Sequence, residues 1–352
     1  MTSRNFSKTR KIGVVGVGSF GTAVANMLAE RNEVIVYARR EEVVDKINSF
    51  HTVSGRDLNP SIRATVRPDE ICELCDILFF MIPSTGFLAA VRTFAPHLHP
   101  FHIIIHGTKG LTLNLGEGES LDTIQKLKRS QVLTMSEVVL QETVVVRVGC
   151  LAGPNISKEL NLGQPAATVV ASKYNEVIQE GQRLLRSERF QVYGNSDIIG
   201  VELSGVLKNI IAIASGALAG LGLGENAKGL LISRGMVEMV HLSKALGGSV
   251  QSVMGLAGIG DLVTTCNSVD SRNFTVGYRL AKGETLDQIL ATMDEVAEGI
   301  NTVRIVDAFI KTAGIRAPIT ENLHRVLFED LSISEALQFL MKYPFSVDVD
   351  FV

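Results

Sequence analysis

Residues 11–29 read KIGVVGVGSFGTAVANMLA. The first five are a short apolar run suited to a buried strand, and from Ser19 onward the apolar positions recur at helical spacing. Between strand and helix lies Gly16-Val17-Gly18-Ser19-Phe20-Gly21, a G-x-G-x-x-G. Such glycine spacings arise by chance, but one that follows a strand and opens a helix has a physical use. Gly16 permits the tight turn, Gly18 lets backbone approach a pyrophosphate, and Gly21 lets helix and strand pack closely. The helix N-terminus then offers N–H groups to phosphate oxygens. These residues point to a dinucleotide-binding Rossmann domain.

The flanking sequence continues the pattern. EVIVYAR (33–39), CDILFFMIPS (75–84), FHIIIHGTKG (101–110), VGCLAGP (148–154), ATVVAS (167–172) and RFQVYGN (189–195) read as further strands. REEVVDKINSF (40–50) reads as a helix, and the alternation is that of a parallel α/β sheet. Residues 113–144 read as amphipathic helix and loop. After Asn195 the texture changes to long apolar helices, Ile198–Leu221 and Ala227–Ala245, followed by amphipathic stretches to Met341. The expected fold class is an α/β Rossmann N-terminal domain, residues 1–195, followed by an all-α C-terminal domain, residues 196–352.

Bulk properties narrow the function. A chain of 352 residues with 46% hydrophobic and 20% charged residues is an ordinary globular protein large enough for two cores. A net charge of −3 gives no electrostatic case for nucleic acid or an anionic membrane. The opening MTSRNFSKTRK lacks the apolar stretch of a signal peptide and reads as a short mobile tail. The apolar stretch from Ile198 to Leu223 carries Glu202, Lys208 and Asn209, which suits a buried helix better than a membrane span. Cys72, Cys75, Cys150 and Cys266 do not make a disulfide framework in a chain of this size, and a reducing, cytoplasmic setting is expected. Cys72 and Cys75 form a C-x-x-C without a second pair, and His97, His99, His102 and His106 have no ligand partner at metal spacing. No metal site is expected.

At the end of the second strand, where an acidic residue would select a free ribose 2′-hydroxyl, the chain has Tyr37-Ala38-Arg39-Arg40. An arginine there can pair with a 2′-phosphate or simply face solvent, so NAD and NADP both remain open.

A Rossmann domain identifies a cofactor, not a reaction. Lys208 is the leading catalytic candidate. It lies in VELSGVLKNIIAIASGALAG (201–220), apolar nearly all round, where an ammonium is costly to bury and easily tuned to exchange a proton near neutral pH. The same residue could snorkel or join a helix-packing ion pair. In GLAGIGDLVTTCNSVDSRN (255–273), Asp261 and Thr265 share a face if the segment is helical, although Asp261 would also suit a helix N-cap. Ser271-Arg272-Asn273 is a compact set of donors suited to a phosphate.

The stretches GVGSFGTAVA, FHIIIHGTKGL, LAGPNISKEL, VELSGVLKNIIAIASG, GLAGIGDLVTTC and SRNFTVG, with EVAEGINT and APIT toward the C-terminus, occur in one order and spacing. In these the chain resembles, over nearly its whole length, the soluble NAD(P)-dependent sn-glycerol-3-phosphate dehydrogenases. The resemblance implies reversible reduction of dihydroxyacetone phosphate to sn-glycerol 3-phosphate, a glycerophospholipid precursor, by a cytoplasmic homodimer with a helical second domain. It also implies that Lys208 is the proton donor and acceptor, with Asp261 and Thr265 around it and Lys109 as a second active-site lysine. Arg272 and Asn273 would clamp the substrate phosphate, helped by Ser271 and the Gly153 loop. Ser19, Phe20, Lys109, Arg272, Val296 and Glu298 match cofactor-contact positions, beside the glycines and Arg39. Asn155, expected at the substrate, stands where many members have Ser or Thr. Ser157, expected at the cofactor, stands where Ala is common. Two other readings are a reductase of carboxylate-bearing ketones, such as a β-hydroxyacid dehydrogenase or ketopantoate reductase, and a dinucleotide sensor without turnover.

Overall fold

The computed structural model describes residues 11–116, 118–293, 296–343 and 347–348; the expected N-terminal tail and most of the final YPFSVDVDFV lie outside them. The chain forms two compact units. One comprises residues up to Thr108 with Ser136–Leu151 and Asn155–Ser196, the other Lys109–Met135, Ala152–Pro154 and the chain from Asp197 onward. A single boundary at 195 therefore needs correcting, because residues 109–135 and 152–154 belong to the helical unit.

The first unit begins β1 (Lys11–Val15), α1 (Ser19–Ala29), β2 (Glu33–Tyr37), α2 (Glu41–Phe50) and a small hairpin, β3 (Thr52–Val53) with β4 (Arg56–Asp57). It continues with β5 (Arg63–Thr65), α3 (Pro68–Leu74), β6 (Ile77–Phe80), α4 (Ser84–Phe94) and β7 (Ile103–His106). After β8 (Leu111–Leu113) and β9 (Val132–Thr134) come α5 (Met135–Glu142), β10 (Arg147–Ala152), α6 (Ser157–Asn161), β11 (Ala166–Ser172), α7 (Asn175–Leu185) and β12 (Phe190–Asn195). The main sheet has the order β12-β11-β10-β7-β6-β1-β2-β5, with the pairs β1–β2, β1–β6, β6–β7, β7–β10, β2–β5 and β11–β12 parallel. Strand order reverses on either side of β1, where Val14 is flanked by Val36 and Phe79. In such a sheet the crevice beyond that strand's carboxyl end is where ligands bind, and the glycine loop sits there.

The sheet is apolar because it is covered. All four residues of β6 are fully buried, and Phe80 meets Phe87 and Phe94 edge-on at centroid distances of 6.2 and 5.3 Å. Burying one such ring contributes roughly 1.5–3 kcal/mol. Cys72 and Cys75 also lie in this interior, and burial pushes both thiols up to about 12. His102 is held between the Cys72 carbonyl at 2.9 Å and the backbone of His99, and His106 Nε2 meets Ser136 Oγ at 2.9 Å.

The 113–144 segment differs from the expected amphipathic helix and loop. β8 and β9 pair antiparallel, Leu111 opposite Thr134, with a short 3-10 turn at Arg129–Gln131 leading into β9 and α5 following it. Leu111, Leu127 and Val132 are buried in the helical unit's core, which accounts for the excursion.

That unit is built on α8 (Ile198–Gly220) and α9 (Glu225–Ala245), with α10 (Val250–Met254), α11 (Asp261–Asn267), α12 (Arg272–Ala281), α13 (Leu286–Thr292), α14 (Glu298–Ala313), α15 (Pro318–Phe328) and α16 (Ile333–Lys342). By length and composition α8 could cross a membrane, but 89% of its most apolar window is buried within the protein. Glycines let α12 lie almost backbone to backbone on it. A Cβ at Gly277 would fall 1.8 Å from the Ile213 carbonyl oxygen, and one at Gly216 would fall 1.9 Å from that of Phe274. The APIT stretch also has a structural use. Glu238, buried in α9, accepts the N–H groups of Ile319 at 2.6 Å and Thr320 at 3.2 Å, capping α15 from a neighbouring helix.

Candidate active site

In the helical unit Lys109, Lys208, Asp261 and Thr265 form one hydrogen-bonded cluster. Lys208, mid-way along α8, donates to Asp261 Oδ1 at 2.9 Å and to the Thr265 hydroxyl. Thr265 in turn donates to Asp261 Oδ1 at 3.0 Å, the i to i+4 geometry of α11. Lys109, just ahead of β8, reaches the other carboxylate oxygen at 2.5 Å. Asp261 is therefore not the N-cap that its position allowed, a place that Gly260 takes. It is the first residue of α11 and bridges two lysines, one oxygen to each.

Local sequence explains how the carboxylate reaches that point. Leu256–Gly260 form a π-helical turn leading directly into α11. A Cβ at Gly258 would lie 1.9 Å from the Val253 carbonyl oxygen, so the turn closes only with glycine there. Gly205 on α8 was not singled out in the sequence. A Cβ there would lie 3.8 Å from Cδ and Cε of Lys109, an ordinary packing distance, so the Lys109 side chain runs alongside α8 at this point.

Burial decides the electrostatics. The side chains of Lys208 and Asp261 are 5% and 3% exposed, whereas that of Lys109 is 26% exposed. Burial pulls the Lys208 pKa down to about 8; Asp261 opposes the shift and Lys109 adds to it. Burial alone would raise Asp261, but Lys109 and Lys208 together hold it below the ordinary 3.8. The two directions agree once charge is counted, because one carboxylate serves two amines and the most buried amine gives up a proton most readily. The cluster can thus hold or release a proton near neutral pH at Lys208 while Lys109 supplies positive charge on its more open side.

The other expected residues are distributed between the units. In the helical unit Ser271 is the N-cap of α12, its hydroxyl accepting the Phe274 N–H at 3.3 Å. Arg272 follows at the exposed head of that helix. The side-chain Oδ1 of Asn273 accepts the N–H of Gly299 at 2.9 Å, which ties α12 to the start of α14 beside Glu298. Val296 is 43% exposed just before α14, and Gly153 is buried with a positive φ of 152°. In the first unit, Asn155 donates to the Ala167 carbonyl at 3.0 Å and Ser157 opens α6. Arg39 and Arg40 are exposed beyond β2.

The glycine loop itself fits a dinucleotide. Gly16 has φ +105°, and a Cβ there would lie 2.6 Å from the Met81 carbonyl oxygen. A Cβ at Gly21 would meet the Gly16 carbonyl oxygen at 2.1 Å, whereas one at Gly18 would meet nothing within 4 Å. Gly16 and Gly21 are thus required by packing, while space remains open at Gly18. Ser19 opens α1, and no side chain caps its first turn from Gly18, so N–H groups face that space. Phe20 packs on the loop that follows β7, since a Cβ at Gly107 would lie 2.7 Å from its ring.

A Rossmann unit with an open phosphate loop, and a helical unit with a buried proton-exchanging lysine, define a two-domain dinucleotide-dependent oxidoreductase. Family models described as the N-terminus and C-terminus of NAD-dependent glycerol-3-phosphate dehydrogenase match residues 11–178 and 197–338. The chain is 39% identical over 345 residues to the glycerol-3-phosphate dehydrogenase (NAD(P)+) of Teredinibacter turnerae, covering 97% of each chain. It is 37% identical over 337 residues to that of Staphylococcus aureus, covering 94% of this chain and 98% of the relative. The crystal structure of glycerol-3-phosphate dehydrogenase from Coxiella burnetii superposes with a TM-score of 0.84 at 31% identity, covering 95% of this chain and 99% of that one. The chain belongs to the NAD-dependent glycerol-3-phosphate dehydrogenase family.

Proposed function

We propose that the protein reversibly reduces dihydroxyacetone phosphate to sn-glycerol 3-phosphate with NADH or NADPH. The observation that carries this reading is the buried Lys208–Asp261–Lys109 cluster, a proton source tuned toward neutral pH beside a second positive charge. Bound at the glycine loop of the first unit, the reduced nicotinamide would supply the hydride that C2 of the substrate accepts. As the C2 oxygen gains negative charge, Lys208 gives it a proton, so the ketone becomes a secondary alcohol and Lys208 is left neutral. In the reverse direction neutral Lys208 takes that proton back. Asp261 and Thr265 hold the amine in place, and Lys109 stabilises the developing charge electrostatically. Arg272, with Ser271 and Asn273, would bind the phosphate and orient the carbonyl. Gly153 and Asn155 would contact the substrate, and Ser157, Val296 and Glu298 the cofactor. We further propose that the enzyme works as a cytoplasmic homodimer supplying the glycerol backbone of phospholipids.

The test follows the absorbance of NADH and of NADPH after addition of dihydroxyacetone phosphate, non-phosphorylated dihydroxyacetone, or ketopantoate. Rapid loss with the phosphate ester alone is expected. Turnover of ketopantoate instead would replace the phosphate assignment with a carboxylate one. Binding of dinucleotide without turnover of any ketone would leave a sensor.

A further inference from the structure

We propose that Asp197 is a positioning residue that sets the register of the 249–261 segment on α8 and so holds Asp261 opposite Lys208; this rests on the role given to Lys208 above. Asp197 is the N-cap of α8 and accepts the Gly200 N–H at 2.9 Å, as caps do. Its second oxygen does something a cap does not require. Oδ2 accepts the Ser249 N–H at 2.8 Å, the Ser249 hydroxyl at 2.6 Å and the Ser252 hydroxyl at 2.7 Å. One carboxylate therefore joins the first turn of α8 to the first turn of α10. The junction is tight. A Cβ at Gly200 would lie 2.0 Å from Asp197 Oδ2, and one at Gly248 would lie 2.6 Å from the Gly200 Cα.

From that junction to Asp261 the chain has little slack. α10 runs to Met254, Gly255 leads into the π turn, and the turn enters α11 directly. Val253 and Leu262 are fully buried along this path. A second pin follows the site, where the Ser215 hydroxyl of α8 donates to the Cys266 carbonyl at 2.8 Å. At 1.5 Å per residue, Asp197 and Ser215 lie roughly 16 and 10 Å along α8 on either side of Lys208. The segment bearing Asp261 is thus fastened to the lysine's own helix both before and behind the reacting pair. Loosening the first pin lets Asp261 slide relative to Lys208, which then loses its counter-charge while the repelling Lys109 still acts on it.

The test uses Asp197→Ala and Asp197→Asn in the full-length protein, with a Ser249→Ala/Ser252→Ala double variant that leaves Asp197 itself in place. The first readout is 13C NMR titration of lysine Cε, with the Lys208 signal assigned by its loss in Lys208→Arg. It reports the amine whether or not the protein turns over. Asp261 holds the Lys208 pKa up, so loss of register lowers the Lys208 midpoint by about one unit or more in Asp197→Ala. The serine double variant moves it in the same direction by less, and decides the question if Asp197→Ala does not fold. The second readout is steady-state kinetics with dihydroxyacetone phosphate, where kcat falls by about tenfold to a hundredfold and KM changes by less than about threefold. A merely structural cap would lower melting temperature and leave the titration midpoint in place, and that result would overturn the proposal. Absence of turnover in the wild type would instead overturn the substrate reading, and the NMR midpoints would still decide the role of Asp197.

Discussion

Replacing Asp261 by Asn tests the electrostatics of the cluster most sharply. The amide keeps the shape of the side chain but removes the one negative charge in contact with both lysines, at 2.9 Å from Lys208 and 2.5 Å from Lys109. Burial and Lys109 both pull the Lys208 pKa down, and Asp261 is the largest influence holding it up at about 8. An opposite charge at this range shifts a pKa by about 1–3 units, so its removal takes Lys208 to roughly 6 if the shift is two units. Reduction requires the protonated amine. At pH 7.5 its population then falls by about 25-fold, and the high-pH limb of kcat moves down by the same two units. The assay is the initial rate of NADH oxidation with saturating dihydroxyacetone phosphate between pH 5.5 and 9.5, beside a thermal melt that shows the variant is folded. A folded Asn variant whose high-pH limb stays where the wild type has it would show that Lys208 is not the titrating donor.

Other consequences are separately testable. Gly18→Ala should leave the melting temperature within about 1 °C and weaken NADH binding at least tenfold, because the added methyl meets only the space a pyrophosphate would fill, whereas Gly21→Ala should cost stability by pressing on the Gly16 carbonyl. Isothermal titration and thermal melts separate the two. Arg39→Ala/Arg40→Ala should raise KM for NADPH by about tenfold and leave that for NADH within about twofold if a guanidinium there pairs with the 2′-phosphate, which NADH lacks. Glu238→Ala strips the cap from α15 and leaves a void in a buried site, costing about 2–4 kcal/mol in urea denaturation while kcat at 25 °C is retained. Acid stability should also change. The pKa of Asp261 lies below 3.8 in the folded state, so its contribution is present above that value and lost as pH falls through the lower folded one. Asp261→Asn should flatten this part of the stability curve.

The first unit was legible because its signals are local. A strand, the three glycines of the turn motif and a helix fall within nineteen residues, and the central strands β6 and β7 are buried on both faces. The short edge strand β5 and the β3–β4 hairpin escaped notice because two or three residues carry no period. The excursion of 109–135 into the helical unit is a long-range event. Leu111, Leu127 and Val132 look like any other apolar residues until their neighbours are known. The site was half visible. Lys208 stands out as a charge in an apolar helix, and the spacing of Asp261 and Thr265 suggested a shared face. No local pattern, however, announces that Asp261 divides its oxygens between lysines 53 and 152 residues away. The structure also changes how the Ser271-Arg272-Asn273 set is understood. Ser271 caps α12 and Asn273 holds Gly299, so two of the three already serve the scaffold around Arg272.

In the proposed reaction Lys208 exchanges the proton with the C2 oxygen. The most direct test of this step is the rate of NADH oxidation by dihydroxyacetone phosphate in Lys208→Ala, measured with enzyme in excess so that one turnover is seen. General acid catalysis contributes about 10²- to 10⁴-fold, so a loss of that size with dinucleotide binding unchanged is the predicted result. A folded Lys208→Ala protein that completes the turnover at close to the wild-type rate would contradict it.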